Sequence, residues 1–203
     1  FFYISNHGID SVLIKKAFAV SKAFFELPEG DKQAVAVDRN QRGWLAQGMS
    51  QMQGSKTHDL KEVFFWGPHT EADDVDVLAR KPLCAVNQWP RDFPRLSEDL
   101  TPYYDAVCLM ARRVMAAVAV SLDQPANFFD KAYAKPLARG QMVYYPASTP
   151  QDETEVRFGV APHTDFGVLT ILLQDSSGGL QVRTKSGDWI EAPPIPGTLV
   201  CNI

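Results

Sequence analysis

The chain has 203 residues, of which 45% are hydrophobic and 22% are charged, and this apolar content is enough to bury one full core. The formal net charge is −4 and there is no run of Lys or Arg, so neither nucleic acid nor an anionic membrane is an expected partner. No apolar stretch is long enough to span a bilayer, and residues 1–30 do not have the pattern of a signal peptide.

The cysteines indicate a reducing compartment. Cys84, Cys108 and Cys201 are odd in number, widely spaced and form no C-x-x-C motif. This pattern favours reduced thiols over a disulfide framework or an iron–sulfur site. We therefore expect a cytoplasmic protein.

A short strand is predicted at the start of the chain, and a helix follows it. Residues 1–5 are mostly apolar and precede a turn. The helix is expected from Asp10 to about Leu27, with Asp10 or Ser11 as its cap and Pro28 stopping it.

The strongest helical pattern is predicted to begin with Ser97 as the cap and to end near Leu122. Glu98 and Asp99 in the first turn suit the positive end of a helix. Apolar residues at spacings of three and four predict one buried stripe. Its members are Leu100, Tyr103, Tyr104, Val107, Ala111, Val114, Met115, Val118 and Leu122.

From Leu137 onward the chain is predicted to be β-structure. An apolar run at 168–173 leads into a Gly-containing turn, and a second strand is expected at 180–184. Further strands are expected at 189–190 and 197–203, separated by prolines that interrupt pairing.

A His-x-Asp motif, in the sequence APHTDFG, stands immediately before these strands. On an extended backbone, His163 and Asp165 would project to the same side. An imidazole and a carboxylate are two members of the 2-His-1-carboxylate triad that holds non-haem Fe(II). No histidine follows His163, so the third ligand has no candidate later in the sequence. The alternative is a surface histidine beside a turn aspartate.

Residues 161–203 resemble the central part of the Fe(II)/2-oxoglutarate-dependent dioxygenases of the isopenicillin-N-synthase-like group. Four earlier stretches carry the same resemblance in the same order along the chain. They are FFYISNHGID at 1–10, RGWLAQG at 42–48, HDLKEVFFWG at 58–67 and VYYP at 143–146.

The resemblance implies an α+β fold with a mainly β core. This core is a double-stranded β-helix, or jelly roll, flanked by N-terminal helices, and we expect it to be truncated at the C-terminus. Residues 1–203 would form a single domain. Residues 1–136 would be its mostly helical N-terminal part, packing on the barrel, and 137–203 the first part of the jelly-roll core with the metal-ligand strand.

The resemblance also implies the site. His163 and Asp165 would bind Fe(II), with 2-oxoglutarate and O₂ as co-substrates, and the hydroxyl of Tyr145 would bind a 2-oxoglutarate carboxylate. Val143 replaces the asparagine often found two residues before that tyrosine, and an ordinary core tyrosine is the alternative. The family's arginine and serine for the distal carboxylate have no candidate in this sequence.

Arg42 is a candidate contact for a substrate carboxylate, by its position in related enzymes, and a solvated or salt-bridged surface arginine is the alternative. His7 and His58 fit structural roles. His69 belongs to a loop and lacks ligand spacing, and a role for it as the third ligand is left open by the sequence. Phe64, Phe65 and Trp66 are candidates for an apolar substrate wall. Alternation along a strand would put Phe64 and Trp66 on one face and Phe65 on the other, so at least one of them is expected in the core.

The predicted function is a non-haem Fe(II)-dependent dioxygenase that couples oxidative decarboxylation of 2-oxoglutarate to hydroxylation or oxidation of a small molecule. A 2-oxoglutarate-independent oxidase of isopenicillin N synthase type is an alternative within the family. A cupin-type jelly roll would require further histidines near His163, which the sequence lacks. A non-catalytic jelly-roll fragment without the third iron ligand is the remaining alternative.

Overall fold

The computed structural model describes residues 1–52, 56–155 and 157–203. Helices and antiparallel sheets are mixed, as the sequence predicts for an α+β chain. The elements are β1 (Phe2–Ser5), α1 (Ser11–Phe25), α2 (Glu29–Gln33), β2 (Gly43–Leu45), β3 (Glu62–Trp66), α3 (Val75–Leu78), α4 (Arg95–Ser121), β4 (Gly140–Tyr144), α5 (Pro150–Thr154), β5 (Thr170–Leu172), β6 (Gln181–Arg183), β7 (Trp189–Glu191) and β8 (Thr198–Asn202).

The chain divides into two compact units. The terminal unit comprises residues 1–10, 106–129 and 164–203, and the central unit comprises residues 11–105 and 130–163. Both units are built from segments that are distant in sequence. The single domain with a division at residue 136 stays a prediction, and the compact units follow other boundaries.

The terminal unit contains a three-stranded sheet in the order β1-β8-β5, with both pairings antiparallel. β8 is the middle strand, and its Cys201 lies opposite Phe2 on one side and Ile171 on the other. Leu199, Val200 and Cys201 are buried, so β8 forms the core of this unit. Strands β6 and β7 form a separate antiparallel pair.

The central unit contains an antiparallel sheet in the order β2-β3-β4. Phe64 and Trp66 of β3 are buried and join an aromatic cluster with Phe24, Trp89 and Tyr104. The predicted alternation along this strand is therefore confirmed, and it places Phe64 and Trp66 in the core.

β2 begins at a glycine that no other residue could replace without strain. Gly43 has φ +106°, and a Cβ there would lie 2.3 Å from the carbonyl oxygen of Val35. The close approach allows Trp44 N–H to donate to Val35 O at 2.7 Å. The glycine thus joins the turn after α2 to the sheet.

Two of the expected helix features are wrong in detail. Ser97 does not cap α4, because the helix begins two residues earlier, at Arg95, and the Ser97 hydroxyl donates to Pro94 O. Pro94 suits this position since a helix start does not need its missing N–H. Of the predicted stripe, Leu100, Tyr104 and Met115 are buried, whereas Leu122 is 58% exposed.

A short helix, α5, lies where only β-structure was predicted. Thr149 accepts a hydrogen bond from the Asp152 backbone, and the Asp152 carboxylate accepts one from the Thr149 backbone. This reciprocal capping box starts the helix, with Pro150 in its first turn. The Thr-Pro-x-Asp pattern is the sequence signal that was missed.

Across the described ranges, no helix combines the length and the apolar character needed to cross a bilayer.

Candidate metal and co-substrate site

The His-x-Asp motif lies in an irregular segment. His163 to Asp165 belong to no strand, bends follow at residues 166–168, and β5 begins only at Thr170. The expectation that the pair sits on a strand is therefore wrong. Both side chains are exposed. His163 is the last residue of the central unit and Asp165 falls in the terminal unit.

The orientation of the His163 ring is set by a backbone carbonyl. Its Nδ1 lies 2.9 Å from Ala161 O, and a carbonyl can only accept, so Nδ1 donates and carries the proton. In the neutral ring the lone pair then belongs to Nε2. Metal-binding histidines are typically held in this way by a hydrogen bond from the other ring nitrogen.

The Asp165 carboxylate is oriented within the terminal unit. Asn202, the last residue of β8, donates from its side-chain amide to Asp165 Oδ2 at 3.0 Å. Asn202 lies opposite Thr170 of β5, the strand that follows the motif. A carboxylate held through one oxygen has a fixed direction for the other, which suits a metal ligand.

Tyr145 directly follows β4 in the central unit. Its ring packs on Gly159, where a Cβ would lie 2.7 Å from Tyr145 Cδ1. The structure therefore brings Tyr145 beside the segment that leads to His163. Desolvation and the nearby Asp59 carboxylate raise the pKa of Tyr145, so the phenol keeps its proton at neutral pH. A protonated phenol can donate to a carboxylate, which is the task expected of it.

Arg42 is buried, with 3% of the residue exposed, so the surface alternative is wrong. Its guanidinium donates to the carbonyls of Asn40, Gln41 and Leu83 at 3.0–3.2 Å. Among the described residues, its Nε has no hydrogen-bond partner. Burial lowers the pKa of Arg42.

Arg42 and Tyr145 occupy different ends of the central sheet. Arg42 directly precedes Gly43. Gly43 on β2 and Gln141 near the start of β4 lie opposite the same residue of β3, Phe65. The span from Gln141 to Tyr145 is about 13 Å along an extended strand. The structure does not bring Arg42 beside Tyr145, and its contact with substrate stays a prediction.

His69 and His7 make contacts with residues close to them in the sequence. His69 Nε2 pairs with Glu71 at 2.8 Å, and both side chains are exposed. His7 Nδ1 accepts from Ile9 N–H at 3.1 Å, and the same turn is held by Arg113, which donates to His7 O. Within the residues that the structure describes, no group of three or more His, Cys, Asp or Glu side chains is arranged to hold a metal ion.

Two residues that support the motif were not among the predicted site residues. One is Asn202, described above, and the other is Asp59, whose Oδ1 accepts from Ala161 N–H at 3.0 Å. Asp59 lies in the HDLKEVFFWG stretch, which carries the family resemblance. No local pattern indicates a partner 102 positions away.

Two protein families match this chain, one in its N-terminal part and one in its C-terminal part. Residues 1–92 match the family described as "non-haem dioxygenase in morphine synthesis N-terminal". Residues 139–203 match the family described as "2OG-Fe(II) oxygenase superfamily". The second match contains Tyr145, His163, Asp165 and Asn202.

A curated relative gives the same result. The chain is 36% identical, over 226 aligned residues, to the protein named "Probable iron/ascorbate oxidoreductase" from Dictyostelium discoideum. The alignment covers 100% of this chain and 61% of that protein. The chain thus spans about three fifths of the length of this relative.

Solved structures agree in fold. A 2OG-Fe(II) oxygenase family protein from Caulobacter crescentus matches with a TM-score of 0.83 and 30% identity, covering 99% of this chain and 63% of that one. Full-length Neurospora crassa T7H in complex with alpha-KG matches with a TM-score of 0.84 and 28% identity, covering 98% and 62%. These matches confirm the predicted jelly-roll fold class. The chain is therefore similar over its whole length to 2OG-Fe(II) oxygenases, and residues 139–203 match the 2OG-Fe(II) oxygenase superfamily.

Proposed function

We propose that the protein is a non-haem Fe(II)-dependent dioxygenase that couples oxidative decarboxylation of 2-oxoglutarate to hydroxylation or oxidation of a small molecule. His163 Nε2 and one oxygen of Asp165 would bind the iron, and the Tyr145 hydroxyl would bind a carboxylate of 2-oxoglutarate. When bound, Fe(II) supplies the redox chemistry that activates O₂.

The observation that carries the proposal is the hydrogen bond from His163 Nδ1 to Ala161 O, 2.9 Å long. It selects the tautomer whose Nε2 can donate a lone pair to a metal. The donor types also fit ferrous iron, since a neutral imidazole and a carboxylate suit Fe(II) better than thiolates do. Each of the two side chains is exposed within its own unit.

Further observations bear on the co-substrate, the cellular location and the role of Arg42. The match to T7H, which was solved with alpha-KG, supports 2-oxoglutarate as co-substrate. The free thiols of Cys84 and Cys201 support a cytoplasmic location. For Arg42, the carbonyl partners that occupy its guanidinium favour a structural task, and a substrate contact remains the weaker proposal.

The test compares His163→Ala with His69→Ala in the full-length protein. Succinate release from 2-oxoglutarate under air with Fe(II) should be lost in His163→Ala and retained in His69→Ala, because His69 lies in an exposed loop pair with Glu71. Equal turnover by His163→Ala and wild type would refute the ligand assignment. Substrate oxidation without succinate in the wild type would indicate the 2-oxoglutarate-independent oxidase.

A further inference from the structure

Asp59 is the most completely buried carboxylate of the central unit, with 1% of the residue exposed. Its Oδ2 accepts from Ser50 Oγ at 2.8 Å and pairs with Lys61 Nζ at 3.2 Å. Its Oδ1 accepts from the backbone N–H of Ala161 at 3.0 Å. A buried carboxylate is costly unless it is paired and hydrogen-bonded in this way. The two oxygens therefore have separate tasks.

The bond to Ala161 holds a segment that is distant in sequence. It joins positions 102 residues apart, and next to it Leu60 N–H donates to Phe158 O at 3.0 Å. Two adjacent residues, Asp59 and Leu60, thus fix both ends of the short stretch from Phe158 to Ala161. This stretch runs directly into His163.

Ala161 connects Asp59 to His163 through its own two polar groups. Its N–H donates to Asp59 Oδ1, and its carbonyl accepts from His163 Nδ1. Ala161 is itself buried, and Pro162 after it has a fixed φ and no N–H. Any movement of Ala161 would change both the direction of the imidazole and the tautomer that the carbonyl selects.

We infer that Asp59 is a positioning residue for His163, acting through Ala161 to fix the imidazole for metal binding. The inference depends on the proposed function, because that proposal makes His163 an iron ligand. The purely structural alternative is that Asp59 only stabilises the fold through Ser50 and Lys61. The positioning role predicts that loss of Asp59 weakens Fe(II) binding, whereas the purely structural role predicts that Fe(II) affinity of the folded variant is unchanged.

The variants separate the two oxygens of the carboxylate. Asp59→Ala removes the bond to Ala161 together with the others, whereas Ser50→Ala removes a partner of Oδ2 and leaves Oδ1 unchanged. Ala161→Pro removes the N–H donor, fixes φ at position 161 and keeps Asp59 with Ser50 and Lys61. It serves as the second test in case Asp59→Ala does not fold.

The experiment uses the full-length protein without oxygen, at a temperature where circular dichroism shows each variant to be folded. We expect Asp59→Ala and Ala161→Pro to weaken Fe(II) binding about 10- to 100-fold, the usual effect of losing a group that orients a metal ligand. Ser50→Ala should stay within about twofold, because the Ala161 bond persists. In metal-free protein, ¹⁵N shifts of His163 should report the Nδ1–H tautomer in wild type and a mixture in Asp59→Ala.

Unchanged Fe(II) affinity and an unchanged tautomer in a folded Asp59→Ala or Ala161→Pro variant would overturn the inference. His163→Ala is measured alongside. If His163→Ala also leaves Fe(II) binding unchanged, the proposed ligand itself is wrong. If it abolishes binding while the Asp59 and Ala161 variants bind normally, only the positioning role fails.

Discussion

The side-chain amide of Asn202 lies 3.0 Å from Oδ2 of Asp165 and donates to it. The bond joins a residue of the middle strand, β8, to the carboxylate expected to bind iron. Because Oδ2 is held by this bond, the direction of Oδ1 in the same carboxylate is restricted as well. Asn202 is therefore expected to affect the metal without touching it.

We expect Asn202→Ala in the full-length protein to weaken Fe(II) binding about 10- to 100-fold, since the carboxylate loses the group that orients it. Asn202→Asp should be more severe, because it places a second negative charge beside Asp165. Thr198→Ala is the matched control on β8, where the hydroxyl donates only to Ile195 O. Anaerobic Fe(II) titration measures the effect, and wild-type affinity in Asn202→Ala would contradict the role.

Tyr145→Phe should raise the 2-oxoglutarate concentration required for half-maximal turnover. Loss of one hydrogen bond to a charged group costs about 1.5–3 kcal/mol, which corresponds to roughly a 10- to 150-fold increase. The adjacent Tyr144 supplies the control, because its ring stacks on Phe25 at 5.6 Å and it carries no assigned role. A steady-state titration of 2-oxoglutarate that gives equal values for Tyr145→Phe, Tyr144→Phe and wild type would assign Tyr145 to packing.

Lys32, which is buried, and Glu62, which is half-buried, form an ion pair at 2.7 Å, and Glu62 also accepts from Trp44 Nε1 at 2.9 Å. Lys32→Met should lower the free energy of unfolding by about 3 kcal/mol, because the carboxylate is left half-buried without its cation. The double variant Lys32→Met/Glu62→Gln should recover part of this loss, since the amide still accepts from Trp44.

The control for this pair is Lys22→Met, which removes an exposed partner of Glu26 at 3.9 Å. It should change the free energy of unfolding by less than about 1 kcal/mol. Urea unfolding followed by tryptophan fluorescence provides the comparison. Similar decreases in the free energy of unfolding for Lys32→Met and Lys22→Met would show that burial does not strengthen the contribution of the Lys32–Glu62 pair.

Gly43→Ala should destabilise the central unit strongly. The new methyl group would meet Val35 O at 2.3 Å, and the positive φ disfavours a side chain. Gly30→Ala is the opposite case, because Gly30 lies in α2 with no atom within 4 Å of a built Cβ, and alanine favours helix by about 1 kcal/mol. Thermal unfolding should therefore move in opposite directions for the two variants, and a common direction would be inconsistent with this geometry.

Much of the fold could be predicted from local pattern. The apolar runs and turn glycines after Leu137 predicted β5 to β8 within a few residues, and Pro28 correctly marked the region where α1 ends. The predicted start of α4 is wrong because serine is a common N-cap residue, whereas in the structure the Pro94 carbonyl accepts backbone hydrogen bonds in the first turn of the helix, from Ser97 and Glu98. Helix α5 was missed because the capping box is short and stands between predicted strands.

The site could be predicted only in part. His163, Asp165 and Tyr145 were chosen from motifs, since each lies in a short segment with a characteristic neighbour. Asn202 and Asp59 could not be found in this way, because their partners lie 37 and 102 positions away. Such pairings depend on strand register and on burial, which a single sequence does not contain.

The sheet of the terminal unit has a consequence for synthesis. Tyr3, on β1, donates to the carbonyl of Pro193, 190 positions away, and among the described strands β1 pairs with β8 alone. During translation β1 leaves the ribosome long before this partner exists. An unpaired apolar strand can associate with other chains, so we expect the nascent protein to need a chaperone until β8 has emerged.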